Sequence, residues 1–179
     1  GIELVKTSSY DLLIAIGGGS VIDAAKLIAL FSTQKHEPTK LIKKEEKFTN
    51  DAKNIIAIPT TSGSGSEATH FAVVYFNKKK YSVAHKSLLP TYSILDPTFT
   101  LNLPKEITAV SGMDALSQAI ESYWSSNATK ESKKYAKNAI IIIMENLLKN
   151  YNNPTEETRK KMLIAAHYAG KAINISKTT

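Results

Sequence analysis

The chain has 179 residues, no cysteine and a formal charge of +7. That length can bury a substantial core, and the missing cysteine excludes a disulfide frame, a thiolate nucleophile and a Cys-held metal. Of 23 Lys+Arg residues only Arg159 is an arginine, so the positive charge sits on scattered lysines rather than on the guanidinium forks that read phosphates and bases; a solvated surface and an anionic small substrate fit it, and a nucleic-acid partner does not.

The opening GIELVKTSSYD reads as the middle of a domain, and an internal fragment is expected. No apolar run approaches the ~18 residues that span a bilayer and no signal-peptide pattern opens the chain, so no membrane partner and a cytoplasmic location are expected. Residues 12–16 (LLIAI) then predict a short strand covered on both faces. Gly17, Gly18 and Gly19 remove three Cβ atoms where the chain turns, Ser20 is a good N-cap, and Val21, Ala24, Ala25 and Ile28 space out as the buried face of a helix. A helix begun in this way offers free N–H groups and a positive dipole end at the carboxyl edge of a sheet. Neither G-x-x-x-x-G-K-[ST] nor a complete G-x-G-x-x-G is present, so the turn serves equally as a phosphate seat or as a tight βα connection without ligand.

Residues 32–53 are polar and predict a surface connection with a short helical turn; residues 54–58 (NIIAI) predict a second buried strand, stopped by Pro59. The hydroxyl-rich PTTSGSGSEAT follows, in which Gly63, Gly65 and Ala68 formally fit G-x-G-x-x-[G/A]. A β run at 71–76 comes next instead of a long helix, which argues against a second dinucleotide fingerprint. Residues 77–80 predict a hairpin turn into 81–84, and 92–95 a further strand closed by Asp96-Pro97. Beyond Pro104 the texture turns helical, with helices expected at 113–124, 132–149 and 154–173. Met113, Leu116, Ile120 and Tyr123, at alternating steps of three and four, give the first its helical spacing. An α/β part over 1–103 and an all-helical part over 104–179 are therefore expected.

Asp114 and Gln118 lie four apart on one helix face, with Glu121 a turn further on. Such a pair serves as two oxygen ligands to a cation or as an ordinary i,i+4 hydrogen bond. His36, His70, His85 and His167 form no metal-binding spacing, no Ser/His/Asp order or G-x-S-x-G stands out, and no catalytic proton donor is assigned.

Taken together, GGGSVIDAAK, PTTSGSGSEAT, Asp96-Pro97 and GMDALSQAIESYWS, in this order and at these separations, resemble the iron-containing (group III) alcohol dehydrogenase family over nearly the whole chain. Within the family, GMDALSQAIESYWS and residues 170–179 look most like phosphonoacetaldehyde reductases. The resemblance implies part of a doubly wound Rossmann-like cofactor domain followed by the start of a helical metal-binding domain, an architecture that glycerol dehydrogenase and dehydroquinate synthase share. It implies NAD or NADP with the pyrophosphate on Gly18, Gly19 and Ser20, the nicotinamide and its ribose near Thr60, Thr61 and Ser64, and a cofactor-contacting lysine at Lys80. It implies Fe²⁺ or Zn²⁺ on Asp114, with Gln118 where most members carry His, and the remaining ligands outside this chain. The substrate implied is a small aldehyde or alcohol, with Lys177 our candidate for a phosphonate head and a homodimer expected at full length. A relative that has lost its metal and keeps only nucleotide binding is the non-catalytic alternative.

Overall fold

Two apolar runs, one ending in Gly17 and the other in Pro59, set the centre of the molecule. The computed structural model describes residues 1–178; Thr179, the last residue of the stretch that carries the resemblance, lies outside the described residues. β1 (Leu12–Gly17) and β2 (Asn54–Pro59) pair in parallel, from Leu12 opposite Asn54 to Gly17 opposite Pro59. β5 (Tyr92–Ser93) joins the other side of β2. It keeps only two of the four expected residues in ladder form, flanked by bonds from Thr91 N–H to Ile55 O and from Ile94 N–H to Ala57 O. This register brings the glycine turn and the serine loop out side by side at one edge, where Thr60 N–H donates to Gly17 O at 3.0 Å.

Helix α1 (Ile2–Thr7) precedes the sheet, and α2 (Gly19–Phe31) crosses one face of it. Only that face is covered. Ala15 and Ala57 are buried with Ile22 against α2, whereas Leu12, Ile14 and Ile16 are 43, 60 and 51% exposed. The expected cover on both faces of β1 is thus corrected, because no described element packs on the second face. The buried side of α2 is also turned by one residue from expectation, to Ile22, Lys26, Leu27, Ala29 and Leu30, leaving Val21 exposed. The cause is the second layer: β3 (Phe71–Phe76) and β4 (Lys79–Ala84) form an antiparallel hairpin, and with α3 (Pro38–Ile42) they close over Leu27, Leu30 and Phe31. The hairpin turn is just Asn77-Lys78, both at positive φ (50° and 62°), as a two-residue hairpin requires. Lys80 therefore belongs to β4 and not to the turn.

The helical part is α4 (Lys105–Trp124), α5 (Lys130–Asn152) and α6 (Glu156–Ser176). Helix α4 starts eight residues before the expected Met113. Its buried line is Thr108, Gly112, Ala115, Ala119 and Ser122, while Met113 and Tyr123 are half exposed. The buried line keeps the helical period of Met113, Leu116, Ile120 and Tyr123 but runs out of phase with them. Small residues let three helices approach closely around Ala115, Ala119, Ala139, Ala165, Ala166 and Ala169, so contact area decides the face here, not side-chain size. Thr129 with Ser132 and Thr155 with Thr158 form reciprocal caps that start α5 and α6, so Ser132 is a capping residue inside a helix that begins before it, and Pro154 lies outside α6. Arg159, the single arginine, is 2% exposed and ties α6 to the start of α4, donating to Thr108 Oγ1 at 2.7 Å and Leu103 O at 3.0 Å. Burial lowers its pKa.

The serine loop joins the two parts. Gly65 adopts the left-handed conformation (φ +61°) directly against Gly170 of α6, so that a Cβ on Gly170 would lie 2.5 Å from Gly65 O. Gly170→Ala is expected to cost about 1–3 kcal/mol of stability, as overpacking at a rigid backbone contact does. Urea unfolding of the two proteins measures it; an unchanged midpoint would mean that the loop yields freely.

Candidate active site

Parallel strands present their connections at one edge, and the candidate site is built there. The backbone of Gly18, not the side chain of Ser20, caps α2: Gly18 is extended (φ −74°, ψ −176°), no side-chain cap bond is made, and Ser20 is the exposed second residue of the helix. This corrects the expected N-cap. The consequence favours a ligand, since the first-turn N–H groups have no hydroxyl competing for them and keep the positive end of the helix dipole. The serine loop lies across this helix start. A Cβ on Gly19 would meet Ser64 Oγ at 2.5 Å, and one on Gly18 would meet Thr61 at 3.4 Å.

A cleft of about 670 Å³ opens between this turn, β3 and α4, and is lined by Gly19, Ser20, Thr61, Ser64 and Asp114 among others. A second hollow of about 380 Å³ continues from it, sharing Asp23, Ser64, Val73 and Asp114 and adding Lys80, Gln118, Glu121 and Thr178. The structure thus brings Gly19, Ser20, Thr61, Ser64, Lys80, Asp114 and Gln118 to one continuous space, with Gly18 directly beneath Thr61. Two residues are placed differently. Thr60 lines neither hollow and spends its amide on Gly17. Lys177 is the exposed left-handed cap of α6 (φ 55°), and its neighbour Thr178 is the residue that reaches the inner hollow.

Gln118 Oε1 is buried and has no hydrogen-bond partner among the described residues. A buried amide oxygen left unpaired costs free energy unless something meets it, and Asp114 stands one turn before it on the same hollow. An oxygen pair of this kind fits a divalent cation as part of its ligand set. Among the described residues no group of three His, Cys, Asp or Glu side chains is placed to hold a metal, so these two would need further donors.

Several residues that frame the site were not singled out from the sequence. Lys26 has no exposed surface and donates to Thr69 O at 2.8 Å, Thr69 Oγ1 at 3.0 Å and Phe71 O at 2.9 Å. Asp23 accepts from the Ser66 hydroxyl and, at 2.9 Å, from Val73 N–H. Glu67, 3% exposed, lies 3.3 Å from His167 Nδ1 of α6. Asp23 and Lys26 stand inside GGGSVIDAAK, and a lysine three residues after an aspartate on a helix otherwise rich in apolar residues was the signal available for them.

An α/β edge whose helix start has no side-chain cap thus opens onto a helical carboxylate–amide pair. The chain belongs to the iron-containing alcohol dehydrogenase family: residues 1–97 match "Iron-containing alcohol dehydrogenase" and residues 108–179 match "Fe-containing alcohol dehydrogenase family, C-terminal". It is 42% identical over 184 residues to aldehyde-alcohol dehydrogenase 2 of Entamoeba histolytica, covering 96% of this chain and 21% of that protein. To the probable alcohol dehydrogenase EutG of Escherichia coli it is 38% identical over 174 residues, covering 95% and 44%. The structure superposes on sulfoacetaldehyde reductase from Bifidobacterium kashiwanohense, solved in complex with NAD⁺, with a TM-score of 0.94 at 33% identity over 99% of this chain and 48% of that one. The chain therefore spans from a fifth to about half the length of these relatives.

Burial brings the Lys26 ammonium down to a pKa of about 8 from 10.5, and the neighbouring Asp23 and Glu67 only partly oppose that fall. Between these two values the unfolded chain holds a proton that the folded one has released, so this group's contribution to stability rises with pH across the window. Below pH 8 the cost of burying the cation is present in full. The unfolding free energy of the wild type relative to Lys26→Met is expected to shift in favour of the wild type by about 2 kcal/mol between pH 7.5 and pH 10. Urea unfolding at both pH values checks this, and a flat difference would place the Lys26 pKa in its ordinary range.

Proposed function

We propose that the protein is a metal-dependent NAD(P)H alcohol dehydrogenase acting as an aldehyde reductase, with phosphonoacetaldehyde, reduced to 2-hydroxyethylphosphonate, as its substrate. One observation carries the reading: the helix start of α2 and the oxygen pair Asp114 and Gln118 open onto the same continuous space. A dinucleotide seated on Gly18, Gly19 and Ser20 and running along Thr61, Ser64 and Lys80, with Thr60 anchoring the loop from below, would end beside Asp114.

Fe²⁺ or Zn²⁺, held by Asp114 and Gln118 with ligands from beyond this chain, would supply Lewis-acid polarisation of the aldehyde oxygen. The chain's own residues orient and enclose. Gly63 packs against Ser111 so closely that a Cβ there would lie 2.8 Å from its side chain, which holds the loop on α4 and shields the reacting face from water. Gln118 brings an amide oxygen where imidazole would bind more strongly, so a loosely held metal is expected. Lys177, the exposed residue before Thr178, which lines the inner hollow, is assigned to the anionic head of the substrate. The similarity to a reductase of sulfoacetaldehyde, another two-carbon aldehyde with an anionic head, supports that substrate class. The same reading takes residues 1–103 as the cofactor unit and 104–179 as the metal and substrate unit of a cytoplasmic homodimer.

The test is oxidation of NADH and of NADPH by the full-length protein with phosphonoacetaldehyde, propanal and lactaldehyde, with and without Fe²⁺ or Zn²⁺. Metal-dependent turnover is expected, with kcat/KM at least tenfold higher for the phosphonate, and Asp114→Asn should lower kcat by about two orders of magnitude. Lys177→Ala should raise KM for the phosphonate and leave KM for propanal nearly unchanged. Turnover of plain aldehydes alone would remove the phosphonate, and cofactor binding without metal-dependent turnover would leave a nucleotide-binding relative.

A further inference from the structure

We propose that Lys26, together with Asp23 three residues before it, is a positioning pair that sets the distance between the helix start under the cofactor pyrophosphate and the serine loop beside the nicotinamide. The inference rests on the dinucleotide reading above.

A lysine ammonium has three donors and no acceptor, and all three donors of Lys26 are used at the point where the loop turns into β3, on Thr69 O, Thr69 Oγ1 and Phe71 O. Asp23 takes hold on either side of that point, through the Ser66 hydroxyl and the Val73 amide. Helix α2 thereby grips the end of the loop and the start of β3 at four residues, none of which belongs to the glycine turn. Between the grip and the turn stands Ser64, which lines both hollows and leaves no room for a Cβ on Gly19. Ser66 N–H reaches Ser64 Oγ at 3.3 Å and passes the constraint along. A fully buried cation is a poor device for stability, because an apolar side chain of similar volume avoids its desolvation cost. What the ammonium supplies, and an apolar group cannot, is direction: three fixed acceptors hold one loop path. A ligand that touches only the helix start is indifferent to that path, whereas one that spans both sides is not.

The experiment measures NADH binding by nicotinamide fluorescence and ADP binding by calorimetry in the full-length wild type, Lys26→Met and Ser66→Ala. Lys26→Met is expected to weaken NADH at least tenfold, to leave ADP within twofold, and to return the emission of bound nicotinamide toward that of free NADH. Ser66→Ala, which keeps the lysine and removes one hold of Asp23, should show the same pattern at about threefold. Parallel weakening of NADH and ADP, or no weakening of either in the folded variant, overturns the proposal. If Lys26→Met does not fold by circular dichroism, Ser66→Ala decides, and an unchanged NADH affinity there overturns it equally. A wild type that binds neither ligand overturns the dinucleotide reading itself, a result distinct from binding that the variants leave intact.

Discussion

The serine and glycine loop between β2 and β3 is the constraint from which the rest of the arrangement follows. It leaves the sheet beside the glycine turn, meets α4 at Ser111 through Gly63, and meets α6 at Gly170 through Gly65. Its last residues are tied to α2 by Lys26 and to α6 by Asn174, whose Oδ1 accepts from His70 N–H at 2.8 Å. Loops normally run over a surface because their backbone groups need water. This one is largely buried, and its polar groups find partners on α2, on α6 and on Ser93 instead. Absence of side chains at 63, 65 and 170 is what lets backbone approach backbone, so the α/β and helical parts meet through glycine, hydroxyl and amide groups more than through an apolar interface.

That contact also explains why the candidate chemistry sits where it does. The carboxyl edge of a parallel sheet offers a helix dipole and backbone donors but no metal ligands of its own. A helix packed across the edge adds side-chain oxygens there, and the loop meets that helix, α4, at Ser111, one turn before Asp114. With Ser111 against Gly63, Asp114 comes to the shared wall of the two hollows and Gln118 to the inner one. The buried line of α4 is made of Thr, Gly, Ala and Ser, so the helix sits deep against α5 and α6 and its larger side chains are turned outward.

Lys26 shows how a buried charge is tolerated. Its ammonium is saturated by hydrogen bonds and flanked by Asp23 and Glu67, yet burial still dominates and its pKa falls. The counter-charges are spent elsewhere, Asp23 on Ser66 and Val73, Glu67 towards His167.

Chain order, element types, the glycine turn and the placing of Asp114 and Gln118 four apart on one helix were legible in the sequence, because short apolar runs, glycine clusters and a four-residue spacing are local signals. The family resemblance was legible too, as motifs hold their order in one dimension. The faces of α2 and α4 were not. A period of 3.6 is unchanged by a shift of one residue, and which phase is buried depends on the hairpin over α2 and on α5 and α6 beside α4. Ser20 looked like a cap by type, but a cap is defined by backbone conformation, and the turn placed Gly18 there. Lys26 and Glu67 were not singled out from the sequence, and only the folding of a distant loop and helix around them made them interior. Local chemistry is thus written along the chain, whereas burial and the pairing of residues a hundred positions apart, such as Glu67 with His167 and His70 with Asn174, are properties of the packed tertiary structure, because they depend on which surfaces exclude water together.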